Sequence, residues 1–246
     1  MNKIPYIPES YLNQKEKQFQ IWFSPTEIKD NILFLSHVVE EALSGVEELL
    51  KYSLSRNLHV CLFATNAEAT QSTQRNFSSY MLMAPFASKT DTLIICQSNN
   101  PKFQSRDLNF KRHMVHEITH AFLHEYSGSE KILGDNNIQM NVPAWFDEGF
   151  AECVSNKIMG NKFQVRIFDP DFDLNVLNDY LNDINSPERI TAFAYATSLV
   201  ESFVFENGHE NVFKNYSYFI NIENIGGCSH GNKTKSYSSA SHHSRG

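Results

Sequence analysis

The stretch Arg112–Tyr126, RHMVHEITHAFLHEY, contains His116-Glu117-Ile118-Thr119-His120, an H-E-x-x-H. On a helix, residues four apart sit one turn above each other on one face. His116 and His120 therefore present two imidazole nitrogens to one cation. Glu117 follows the first histidine, near enough to take a proton from a water held by that cation. Two neutral imidazoles and a carboxylate suit zinc, a borderline-soft ion with no redox change, so one zinc ion is the expected cofactor. His113 and His124 lie on roughly the same face and read as ordinary polar residues. His124 is two turns from His116, about 12 Å along the axis, too far to share its ion.

A catalytic zinc takes three protein ligands and keeps one position for water, so a third ligand has to come from elsewhere. Pro143 is well placed to open a helix that runs to about Met159 and carries Trp145, Phe146, Phe150 and Ala151. That helix reads as largely buried, and a buried carboxylate needs a cation. Glu148 lies on it, and a turn between the two helices would bring their faces together. Glu152, one turn further, shares the face of Glu148 and would accept the outer N–H of a ligand histidine. Gly149 permits a close helix approach.

Working outward, residues 1–18 read as an irregular lead-in, and Phe19–Phe23 as a short strand ended by Ser24-Pro25. Apolar residues from Ile28 to Leu50 recur at helical spacing over about 27–52. His59–Ala64 and Thr92–Cys96 read as strands. Residues 66–90 are polar and irregular, with a short helix or hairpin around Ser78–Ala87. The motif helix spans about 106–126 and stops near Gly128, a common residue after a helix end. Gly134–Asn141 reads as a loop and Phe163–Phe168 as a weak strand. Helices follow at 173–184, 190–206 and 209–221, the last two parted by Asn207-Gly208. From 226 to 246 the sequence is polar and reads as a disordered tail.

Composition narrows the partners. Hydrophobic residues make up 41% and charged residues 20%, as in a soluble globular protein. A net charge of −7 argues against a nucleic-acid or anionic membrane surface. No stretch is apolar enough for a membrane span or signal peptide. Cys61, Cys96, Cys153 and Cys228 are far apart without C-x-x-C spacing, which suits reduced thiols. The expected location is cytoplasmic.

The segments H-E-I-T-H and P-A-W-F-D-E-G-F-A-E (Pro143–Glu152) together resemble the gluzincin branch of the H-E-x-x-H zinc metallopeptidases, the thermolysin-like group. More narrowly they resemble its compact "peptidase MA-like" domains. Ala194–Val200 is similar to the A-Y-x-x-S-x-x-V helix of those domains. The likeness covers roughly Phe19 to Phe219, specific at the two metal segments and loose elsewhere. It implies an α+β, zincin-like fold: a small mixed or antiparallel sheet packed on the active-site helix, then a mainly helical C-terminal lobe. An α/β lobe would occupy 19–128 and the helical lobe 129–225. The resemblance further implies that His116, His120 and Glu148 bind zinc, with Glu117 as general base and Glu152 holding the first histidine. From its place in the third segment, Tyr195 is the expected oxyanion donor. Strand 92–96 would pair with an extended peptide or protein substrate. The segment that recognises a free N-terminus in the large aminopeptidases of this clan is missing, which disfavours that activity. A zinc hydrolase of a non-peptide amide or ester, and a non-catalytic binding module, are the alternatives; the presence of Glu117 speaks against the latter.

Overall fold

A computed structural model describes residues 6–73, 81–85, 91–129, 140–161, 173–183 and 185–221. Leu12–Lys15 (β1) and Phe19–Phe23 (β2) form an antiparallel pair, with Leu12 opposite Phe23. The strand β1 corrects the expected irregular lead-in. Its residues show no apolar alternation, and it is a strand because β2 supplies its backbone partners.

Lys29–Leu50 (α1) buries Leu35, Val38, Val39, Ala42, Leu43 and Val46, a single stripe at three- and four-residue spacing. Asn57–Phe63 (β3), Met81–Pro85 (β4) and Asp91–Gln97 (β5), with the helix Asn66–Thr73 (α2) after β3, complete among the described residues a five-stranded sheet in the order β1-β2-β3-β5-β4. The strands β2, β3 and β5 run parallel, and β1 and β4 flank them antiparallel. Being central and parallel, β3 and β5 are buried almost throughout. Leu58, Val60, Leu62, Ile94 and Cys96 enter the main core; Cys61, Phe63, Leu93 and Ile95 enter a smaller one with Ile7 and Tyr11.

This topology corrects a second expectation. Strand β5 is hydrogen-bonded on both sides and has no backbone edge to offer a peptide. Among the described residues the edge on that side is β4, which lies beside the motif helix. Both α2 and β4 fall in the stretch that read as mostly irregular.

The motif helix is shorter than expected because Arg106 takes a left-handed φ of 51°. A single turn, Pro101–Gln104 (α3), precedes it. Asp107 then caps Leu108–Ser127 (α4) by accepting the Phe110 N–H, and Gly128 ends that helix at φ 67°. The C-terminal part is helical: Ala144–Ile158 (α5), Leu174–Asn182 (α6), Arg189–Asn207 (α7), His209–Lys214 (α8) and Tyr216–Ile220 (α9). The single helix expected over 209–221 is divided at Asn215, whose φ of −115° departs from helical geometry. The weak strand at 163–168, the tail from 226 and most of the Gly134–Asn141 loop lie outside the described residues.

The result is an α+β fold with a small mixed sheet packed on the motif helix and a mainly helical C-terminal part. Helix α4 packs against α1 and α5, and α5 against α7. Glu125, near the end of α4, secures the turn between α1 and β3: it accepts the Tyr52 hydroxyl at 2.8 Å and the backbone N–H groups of Ser55 and Arg56 at 2.8 and 2.7 Å. Cys61, Cys96 and Cys153 are buried free thiols. No described helix is long and apolar enough to cross a membrane.

Candidate metal centre

Two helices build the site. Helix α4 places His116 and His120 one turn apart, and α5 lays Asp147, Glu148 and Glu152 against them. At the start of α5 the Trp145 N–H, which has no partner within the helix, is taken up by the Asn178 side chain of α6 at 3.0 Å. The near end of α5 is therefore held from outside.

Three atoms converge between the helices. His116 Nε2 lies 3.2 Å from Glu148 Oε2, His120 Nε2 lies 3.5 Å from the same oxygen, and the two nitrogens are 3.0 Å apart. A tetrahedral zinc ion with bonds of about 2.0–2.1 Å holds its ligand atoms about 3.3 Å apart. The triangle has the dimensions of one face of such a polyhedron, so these residues fit the ion. The side chains of His116, His120 and Glu148 are 13, 8 and 22% exposed, so Glu148 is the most accessible of the three.

The outer nitrogen of His120 fixes its tautomer. An ionised carboxylate only accepts hydrogen bonds. His120 Nδ1 is 2.7 Å from Asp147 Oδ1 and must donate to it, which leaves the Nε2 lone pair facing inward. His116 Nδ1 faces Glu152 Oε2 at the longer distance of 3.4 Å. The other oxygen of Glu152 pairs closely with the Arg112 guanidinium. With His120 in that tautomer, its Nε2 lone pair and the Glu148 carboxylate both face His116 Nε2, an arrangement satisfied by a proton or a cation among the three atoms.

The proton equilibria express the same need. Burial alone would lower the His120 pKa, but the charge and hydrogen bond of Asp147, with those of Glu148, raise it well above the ordinary value. Burial alone would raise the Glu148 pKa, but hydrogen bonds and charge from His116 and His120 hold it far below the usual carboxylate range. Without a cation, a proton takes its place.

Glu117 is buried on α4, and its charge reaches Cys96 on β5. Burial, and secondarily that charge, drive the Cys96 thiol pKa upward. Tyr195 is half-buried on α7, one residue before Ala196, whose carbonyl abuts Gly149 on α5. His116, His120 and Glu148 thus meet, Glu152 reaches the outer side of His116, and Tyr195 stands on the neighbouring helix.

Three residues of the site were not anticipated. His124 corrects its reading as an ordinary polar residue: it is buried, and its Nε2 lies 2.8 Å from Asp147 Oδ2. Asp147 itself joins His120 and His124, and Arg112 holds Glu152. A signal was available in the four-residue run of His116, His120 and His124 facing an acidic Asp147-Glu148 pair.

The sequence matches no protein-family model and no curated protein at a significant level. Among solved structures, the chain is similar to yeast LTA4 hydrolase, determined in complex with bestatin, at 12% identity and a TM-score of 0.45. The match covers 85% of this chain and 33% of that one, so the chain spans about a third of that protein's length. A TM-score below one-half assigns neither fold nor function, and function has to be read from the side chains.

Proposed function

We propose that this protein is a zinc-dependent peptidase. The observation that carries the reading is the convergence of His116 Nε2, His120 Nε2 and Glu148 Oε2 at 3.0–3.5 Å, with a buried glutamate next in sequence to the first ligand. His116, His120 and Glu148 would hold one zinc ion. When bound, that ion supplies Lewis acidity and lowers the pKa of a water toward about 7.

The remaining steps belong to the chain. Glu117 takes the proton of the attacking water as general base and passes it to the leaving amine. The Tyr195 phenol donates a hydrogen bond to the carbonyl oxygen on which negative charge develops. Glu152, itself steadied by Arg112, keeps the His116 ring turned with Nε2 inward. A peptide or protein substrate is favoured by the position of β4. An edge strand beside the motif helix supports an extended chain through backbone hydrogen bonds, which tolerate many sequences.

The test is Glu117→Gln. Zinc content, measured by mass spectrometry, stays at one ion per chain, while hydrolysis of denatured casein falls by about 10²–10⁴-fold. Turnover that survives this change, or that survives chelation of the wild type, overturns the proposal.

A further inference from the structure

We infer that His124 is a positioning residue for the metal centre: through the shared carboxylate of Asp147 it fixes the tautomer and ring orientation of His120. This rests on the reading of His120 as a metal ligand.

Asp147 has two oxygens and each meets one imidazole. Oδ1 lies 2.7 Å from His120 Nδ1, and Oδ2 lies 2.8 Å from His124 Nε2. Because the carboxylate only accepts, both rings donate. His124 thereby carries a proton on Nε2, and that N–H fixes the plane of the carboxylate that aligns His120. Remove it, and Oδ2 is left inside the protein with one donor fewer, on a side chain only 10% exposed. The carboxylate is then free to turn, and the His120 ring with it.

The other nitrogen of His124 shows what the ring is for. Nδ1 is buried and has no hydrogen-bond partner among the described residues. Burying a polar atom in that way is unfavourable, and an apolar side chain of similar size would avoid it. Packing therefore does not explain a histidine here, whereas the bond to Asp147 does.

His120, His124 and Asp147 also have the composition of a cation site of their own. Distance decides against it. Nitrogen–oxygen separations of 2.7 and 2.8 Å are those of charge-assisted hydrogen bonds, and ligands on one tetrahedral ion stand about 3.3 Å apart.

The experiment compares wild type, His124→Leu and His124→Gln by zinc competition against a chromogenic chelator, with the melting temperature of each metal-free protein recorded alongside. The glutamine amide places an N–H close to where the imidazole Nε2–H lies. His124→Leu should weaken zinc binding about 10–100-fold, and His124→Gln should recover most of that loss. A purely structural histidine would shift melting temperatures without this split. Equal zinc affinity in wild type and His124→Leu, or a glutamine variant as weak as the leucine one, overturns the inference and leaves the metal centre standing. Failure of the wild type to bind zinc overturns both. Should His124→Leu not fold, ¹⁵N imidazole spectra of the zinc-loaded wild type decide: a proton on His124 Nε2 hydrogen-bonded to Asp147 supports the inference, and a ring protonated only at Nδ1 overturns it.

Discussion

A Cβ placed on Gly149 would lie 2.5 Å from the carbonyl oxygen of Ala196 and 2.8 Å from Val200 Cγ2. Helices α5 and α7 therefore touch backbone to backbone, one residue after Glu148. Gly149→Ala gains about 1 kcal/mol of helix propensity and loses more, because a main-chain oxygen has no rotamer in which to step aside. Overpacking of this kind costs roughly 1–3 kcal/mol, and here the upper end applies. A lower urea midpoint and reduced zinc content are the expected results; unchanged values would mean that the two helices separate freely.

Glu148→Ala should leave a two-histidine site that holds zinc weakly. Stoichiometry after dialysis should fall well below one ion per chain, while the circular dichroism of the metal-free protein stays that of the wild type. Full occupancy with unchanged affinity would take Glu148 out of the site.

Glu125→Ala tests the clamp between α4 and the turn after α1. The carboxylate accepts one hydroxyl and two backbone N–H groups and is 7% exposed. Leaving those donors unsatisfied should cost about 2–4 kcal/mol, since bonds to a charged group are worth about 1.5–3 kcal/mol each and water recovers part of the loss. Tyr52→Phe, which removes one of the bonds, should cost about 1 kcal/mol. A combined loss equal to the sum of the two would show that Tyr52 and Glu125 do not act together.

Acid should act through His209. Burial, and the charge of Lys157 after it, outweigh the bond to the Cys153 backbone and lower this imidazole to about 4. Its unfolded value is about 6.5. Between these values the unfolded chain binds the extra proton, so stability falls as pH drops from 6.5 to 4 and levels off below. The loss from this group is roughly 2–3 kcal/mol. His209→Gln should flatten that part of the stability curve relative to wild type, and parallel curves would assign the acid sensitivity to other groups.

Where the chain's own periodicity decides the structure, the sequence could be read. The stripe of α1, the apolar runs of β3 and β5, and the four-residue spacing of His116 and His120 each state their geometry locally. The strand β1 did not, because its partner supplies what its residues lack, and the edge position of β4 depends on pairing order, which no single segment encodes. Asp147 was passed over for a related reason. The sequence around Asp147 does not say which way its side chain faces, and only the crossing of α4 and α5 turns it toward two imidazoles. The pairing of His116 and His120 could be found from spacing, while the groups around them depend on how two helices meet.

The sheet partitions the interior unequally. On one face lie α1, α4 and α5 with the proposed metal ligands; on the other, Ile7, Tyr11, Phe63, Ala69, Leu93 and Ile95 form a small pool that contains none of them. A change confined to that pool loosens the back of the molecule before it disturbs the front. Limited proteolysis near Ile7 should then release an N-terminal piece and leave the affinity for zinc unchanged, so wear on the rear wall would be tolerated at the front.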